Sequence, residues 1–308
     1  MSTIDAVATR LSTRRLILAY VELMKPRIVM LVLVTGVPAL LLAKRGMPDR
    51  MLAITTLLGI ALAAASAACF NHYYDRDIDG LMRRTAARPL PSGLIAPSHA
   101  IVLGAVLGIA AVTVLAICAN LLAAGLALAS IFYYAVVYTV WLKRRTPENI
   151  VIGGAAGASA PLIAWAAVTG SVGLPAILLA SIVFLWTPPH FWALALYRSE
   201  DYARANIPML PVTHGAAETR RRIVLYSWIL VPATLAFAAF GLVGPLYLVP
   251  ATLLGIQFLR LVHRLARSGE IPDAVKVFRY SIAYLFLVYL ALTLDAVVRF
   301  VIQAPVAR

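Results

Sequence analysis

Residues 51–79 read MLAITTLLGIALAAASAACFNHYYDRDID, and this stretch decides the fold. From Met51 to Phe70 there is no charged side chain. As a helix that run reaches roughly 30 Å, the thickness of a bilayer's hydrocarbon core. If the helix continues, Asn71, Asp75 and Asp79 fall four residues apart and share a face about 80° wide. Stacked oxygen donors where a membrane helix meets water suit a hard cation such as Mg²⁺, which keeps waters and bridges to phosphates. Arg83, Arg84 and Arg88 follow within reach, and arginine offers a planar fork for phosphate oxygens. The plain alternative is a solvated, charged helix end. The one-sided spacing of the acids and the arginines beside them favour a site for a magnesium-bound diphosphate.

The composition agrees with a membrane setting. Of 308 residues 62% are hydrophobic and 13% charged, against about 25% charged in globular chains. Cys69 and Cys118 lie in apolar runs and read as small buried hydrophobes rather than a disulfide or a metal pair. The segment Met1 to Tyr20 lacks a cleavable signal's uninterrupted apolar stretch. It is expected to be the short cytoplasmic tail of a bacterial-type membrane protein.

The remaining apolar runs give the crossings. The first is expected over about Ile28 to Ala43, and the second ends in the Asn/Asp stretch. His99 to Leu142 is uncharged and twice the length of a crossing, so it must fold back, near Asn120. Asn149 to Tyr197 should turn at Gly170 to Gly173, and Ile223 to Leu259 at Gly241 to Pro245. A last crossing runs from about Tyr280 to Val298. The expectation is an all-α membrane protein of nine transmembrane helices around a central cavity opening to the cytoplasmic side, as one unit over 1–308. Of the 27 Lys and Arg, 22 fall in the N-terminal tail and after the even-numbered crossings, and 5 on the other side. The positive-inside rule then puts the N-terminus in the cytoplasm and the C-terminus outside. The net charge of +14 is thus a topology signal and does not point to nucleic acid.

A second polar concentration follows the sixth crossing: Trp186-Thr187-Pro188-Pro189-His190-Phe191-Trp192, then Tyr197, Asp201 and Arg204. Each polar segment follows an even-numbered crossing, as two weakly similar halves would give. Asp201 is either a further magnesium ligand on a second wall of the cavity or a loop acid paired with Arg204. Pro188-Pro189 is expected to break or kink its helix, and broken membrane helices line cavities, so His190 is a candidate for the substrate side. His72 lies inside the first motif but off its acidic face. Asp77 is expected to pair with a nearby arginine. Asp295, costly if exposed to lipid, is expected to pair with Arg299 one turn on.

Asn71-x3-Asp75-x3-Asp79, with a second Asp-bearing loop after the sixth crossing, resembles the UbiA-type intramembrane prenyltransferases. Arg88-Pro89-Leu90, Thr187 to Ala195, Asp201-Tyr202 and Ile207-Pro208-Met209-Leu210-Pro211-Val212 are similar to the branch that acts on haem. The likeness runs from Lys25-Pro26-Arg27 to the Ser281 to Asp295 helix. Relatives acting on phenolic acids carry more acids in the second loop; here Tyr197 takes the first such place and Asp201 alone remains, as in the haem branch.

The resemblance implies farnesyl diphosphate and protohaem IX as substrates, a lipid bilayer as the setting, and a haem A synthase as a candidate partner. Asn71, Asp75, Asp79 and Asp201 would be catalytic and hold Mg²⁺. Arg83, Arg84, Arg88, Lys143, Arg204, Lys25 and Arg27 are candidates for the diphosphate, with Arg88 first because the next proline fixes its backbone. His190, Tyr197, Trp192 and His72 would face the acceptor. The rivals are a prenyltransferase for a quinone precursor or chlorophyllide, and a transporter using intramembrane acids. The acids' position at the helix end weighs against a transporter. A phosphatidyl-alcohol transferase needs an Asp-x2-Asp-Gly-x2-Ala-Arg pattern that Asp75 to Arg84 does not meet.

Overall fold

The computed structural model describes residues 13–302. The expectations for residues 1–12 and 303–308 lie outside it. The described chain is helical: α1 (Thr13–Leu23), α2 (Pro26–Lys44), α3 (Arg50–Leu81), α4 (Pro97–Cys118), α5 (Leu121–Leu142), α6 (Asn149–Thr169), α7 (Leu174–Tyr197), two short helices α8 (Ser199–Arg204) and α9 (Leu210–Thr213), then α10 (Gly215–Phe240), α11 (Pro245–Ser268) and α12 (Ile271–Phe300). Among the described residues nine helices, all but α1, α8 and α9, are long and apolar enough to cross a membrane. That is the expected number.

The turns follow local chemistry. Asp49 caps α3, its Oδ1 accepting from Leu52 N at 2.9 Å. Asn120 ends the fold-back and caps α5 through Ala123 N, while its amide donates to Ala166 O at 2.8 Å. Gly170 closes α6 at φ +67°, in the left-handed region that favours glycine.

Helix α3 sets the scale of the molecule. Its 32 residues make it ~48 Å long, so it crosses the apolar layer and carries its last turns into the polar side. Against α4 the backbones come close: a Cβ on Gly59 would stand 2.5 Å from Leu115 Cγ, and Ser66 Oγ donates to Gly104 O at 2.7 Å. The main buried cluster draws Ala, Leu, Ile and Val from all nine crossings. A separate cluster joins Ile78 and Met82 of the α3 end to Ile150, Ala195, Tyr202, Ile207 and Met209. The two polar segments of the sequence therefore meet.

Two expectations are corrected. Of the break or kink expected at Pro188-Pro189, the break is absent: α7 is one helix from Leu174 to Tyr197. The pair removes two donors, but Thr187 Oγ1 bonds Val183 O at 2.9 Å and Trp186 Nε1 bonds Ser281 O at 2.7 Å, tying the segment to its own turn and to α12. Asp295 does not pair with Arg299. Its Oδ2 accepts from Gly244 N at 2.8 Å at the start of α11, and Arg299 donates to Gly241 O at 3.2 Å. A helix start presents unpaired N–H groups that a buried carboxylate satisfies.

Candidate functional site

The last turns of α3 hold the first motif as the spacing predicts. Asn71, Asp75 and Asp79 are all buried, at 3%, 0% and 1% exposure. Asn71 Nδ2 donates to Asp75 Oδ2 at 2.7 Å and to Thr139 Oγ1 at 3.1 Å. Three cations from distant parts of the chain close on this face. Lys25 Nζ donates to Asn71 Oδ1 at 2.6 Å, Lys143 donates to Asp75 Oδ2, and Arg88 Nη1 donates to Asp79 Oδ2 at 2.7 Å. Thr85 Oγ1 bonds Asp79 O at 2.9 Å and steadies the turn that brings Arg88 back.

Lys25 is held in place by a left-handed backbone, φ 51°, just before Pro26 starts α2. Burial, then the nearby Arg88 and Lys143, lower its pKa to about 7, against the opposing pull of Asp75 and Asp79. Lys143 and Thr139 arrive through a wide turn at the end of α5, where bonds run from each N–H to the carbonyl five residues back, as in Lys143 N to Tyr138 O at 2.9 Å. Such turns gather at functional sites. Asp77 lies outside the cluster and forms a two-point pair with Arg144, both at 2.7 Å, as expected of it.

Asp75 Oδ1 and Asp79 Oδ1 are sealed from solvent with no hydrogen-bond partner. Arg144 Nη2 stands 4.0 Å from the first of them. A carboxylate oxygen without a hydrogen bond is costly in a buried place, and two on one helix face make a cradle for a positive ligand. Among the described residues no three His, Cys, Asp or Glu side chains converge to hold a metal by themselves. Two carboxylates and the Asn71 amide nevertheless give a hard oxygen set that fits Mg²⁺, which takes one or two carboxylates and fills the rest with water and phosphate.

The structure does not bring Asp201 into that set. Its carboxylate pairs with Arg204 and lies 3.9 Å from Arg198 Nη1, the pairing that was its alternative reading. Its neighbour Tyr202 does reach the first motif's flank: burial raises the Tyr202 pKa, with the Arg84 guanidinium beside the phenol. Arg83 and Arg27 are exposed.

His190 is buried between Trp186 and Phe278, with ring centroids 4.3 and 4.7 Å away. Its Nδ1 is 2.7 Å from Ser281 Oγ, and that hydroxyl already donates to Phe278 O at 2.6 Å. Nδ1 must therefore donate, which leaves Nε2 with its lone pair. Tyr197 packs edge-on against Phe278 at 5.7 Å. Trp192 is fully buried, edge-on to Tyr226 at 5.2 Å, in the core between α7 and α10.

His72 is a correction. It is 1% exposed with both ring nitrogens buried and unpartnered, and it is not off the acidic face. One residue turns a helix by 100°, so His72 stands only about 20° past Asp79. Thr139 and Thr85 were missed altogether, and no local pattern marks them; they matter only because α5 and the loop after α3 fold onto the motif. An apolar cleft begins at Lys25 and runs between α2, α3, α5 and α6, past Val29, Val32, Ala64, Ala67 and Ile163.

Buried acids on a membrane helix, cations gathered over them and an apolar cleft alongside fit an intramembrane prenyltransferase. The chain belongs to the UbiA prenyltransferase family, whose model matches residues 32–290. Within it, the chain is 47% identical over 288 residues to the protoheme IX farnesyltransferase of Acidiphilium cryptum (strain JF-5), covering 91% of this chain and 90% of that one. Solved structures share the fold. One from work on digeranylgeranylglyceryl phosphate synthase in membranes has a TM-score of 0.76 at 19% identity, covering 92% of this chain and 99% of that one. A UbiA homologue from Archaeoglobus fulgidus bound to DMAPP and Mg²⁺ has a TM-score of 0.58 at 18% identity, covering 88% and 98%. The protein is a multi-pass membrane prenyltransferase.

Proposed function

We propose that the protein transfers the farnesyl group of farnesyl diphosphate to a vinyl group of protohaem IX, with addition of water, to give haem O. One observation carries the reaction type: Asp75 Oδ1 and Asp79 Oδ1 are sealed without a hydrogen bond beneath Lys25, Arg88 and Lys143. The acceptor rests on the relatives named protoheme IX farnesyltransferase.

Asn71, Asp75 and Asp79 would hold Mg²⁺, a reading supported by the homologue bound to DMAPP and Mg²⁺. When bound, the ion supplies charge stabilisation for the diphosphate as the allylic C–O bond breaks. Lys25, Arg88 and Lys143 receive the same charge, and their contacts with Asn71, Asp79 and Asp75 position them beforehand. Arg84 stands next in line from beside Tyr202. Arg83, Arg27 and Arg204 attract the anion from the outer surface.

The farnesyl chain lies in the apolar cleft, whose Val29, Val32, Ala64, Ala67 and Ile163 keep water from the allylic cation. The terminal vinyl carbon of haem attacks that cation and forms the new C–C bond. Positive charge then sits on the carbon next to the porphyrin. Water adds there and loses a proton, leaving a hydroxyethylfarnesyl group. The prenylation step needs no strong general base. His190 Nε2 is a neutral imidazole donor suited to the haem iron, with Tyr197 beside the Phe278 ring that stacks on it.

The Lys and Arg distribution supports a site at the cytoplasmic face of a bacterial cytoplasmic membrane. A haem A synthase is the partner that would take the product. The test supplies haem B and farnesyl diphosphate to membranes and follows haem O by chromatography, with and without Mg²⁺. Haem O should form only with the metal. Asp75→Ala should insert and fold yet form none; full activity in that variant would remove the metal-site reading.

A further inference from the structure

A second concentration of positive charge lies outside this site, on α11. Arg260, Arg264 and Arg267 fall at i, i+4 and i+7, within a stripe about 60° wide. They line an open surface groove of about 810 Å³ along α11, with His263, Ile256 and Leu259, which Trp228 alone edges from α10. Among the described residues Arg260 and Arg267 have no hydrogen-bond or ion-pair partner, whereas Arg264 holds Asp273 at 3.2 Å. Trp228 Nε1 donates to His263 Nε2 at 2.9 Å. The indole can only donate, so a neutral His263 carries its proton on Nδ1 and has a further donor to offer.

Topology alone accounts for arginines at a helix end. Arg260 stands where the uncharged run of α11 gives out after Leu259, eight residues before the helix ends at Ser268, and is the innermost of the three. An exposed guanidinium with no acid partner, set at the head of an apolar helix face, suits an anion at the interface. The same stripe continues toward the bilayer centre as Ile256, Leu253 and Val249, exposed by 41%, 63% and 57%. One helix face therefore joins an anion-binding head to an exposed apolar track ~16 Å long, counted from Arg260 to Val249.

We propose that the groove along α11 binds an anionic glycerophospholipid of the bilayer, its phosphate among Arg260, Arg264 and Arg267 and an acyl chain along Ile256, Leu253 and Val249. Free phosphate matches only half of that surface. Basic pockets between membrane helices commonly take such head groups.

Native mass spectrometry of the detergent-solubilised protein tests this with phosphatidylglycerol and phosphatidylcholine of identical acyl chains, and with inorganic phosphate alone. Phosphatidylglycerol should be retained at least tenfold over phosphatidylcholine and should raise the melting temperature, while phosphate alone should not. The double substitution Arg260→Gln/Arg267→Gln should abolish that preference and leave haem O formation intact. Equal retention of the two lipids by the unaltered protein overturns the proposal, as does equal stabilisation by phosphate or an unchanged preference in a folded double variant.

Discussion

Two buried acid sites in this molecule use the same residue type to opposite ends. At the α11–α12 turn, Asp273 spends both oxygens: Arg264 and Lys276 at 3.2 Å on Oδ1, Ser268 at 2.8 Å on Oδ2. At the α3 end, Asp75 and Asp79 each give one oxygen to a hydrogen-bonded cation and keep the other sealed without a hydrogen bond, Asp75 Oδ1 having only Arg144 Nη2 at 4.0 Å. A structural acid is closed by its neighbours. An acid kept for a ligand retains unspent binding capacity where water cannot fill it, at a cost the rest of the fold must carry.

The sharpest way to break that contrast is to make the same change at both places. Asp79→Asn should lower kcat/KM for haem O formation by about 10²- to 10³-fold, the scale of losing one preorganised electrostatic contact, with little loss of melting temperature. Comparable activity in Asp79→Asn and the unaltered protein would erase the distinction. Chelation of divalent metal by EDTA should likewise remove activity and leave the folded protein unchanged by circular dichroism.

His190→Ala tests the acceptor side of the comparison. Loss of the Nε2 donor should weaken haem binding by roughly tenfold and shift the Soret band of the haem-loaded protein. An identical Soret band in the variant would leave His190 a packing residue. Asp295→Ala, which strips the partner from Gly244 N, should cost about 1–3 kcal/mol of stability, read as a lower melting temperature with haem O formation within twofold. Smallest of all, Asp273→Asn should lower the melting temperature less than Asp295→Ala and leave activity alone, because its partners stand largely in solvent.

Much of this architecture was legible beforehand. Uncharged runs of crossing length, closed by Asn120, Gly170 and the Gly241–Pro245 turn, gave nine crossings because bilayer thickness and helix rise are fixed quantities. The four-residue spacing of Asn71, Asp75 and Asp79 gave their shared face for the same reason. The misreadings came where a local rule met a distant partner. Pro188-Pro189 read as a break or kink, yet α7 is not broken there, in a segment that Trp186 also ties to Ser281 on α12. Asp295 looked like the partner of Arg299, yet a helix start from another hairpin offered a better donor.

By itself, then, the sequence determined what repeats along one chain axis: where each helix crosses, which side is basic, and which oxygens share a face. Only the tertiary structure decided that Lys25 would meet Asn71, that Lys143 and Thr139 would close over α3 from a wide turn in α5, and that Asp201 would keep to its own arginine. Periodicity is set by covalent geometry and reads from neighbours. Pairing among side chains dozens of residues apart depends on which helices pack together, and that follows from the fit of the whole bundle.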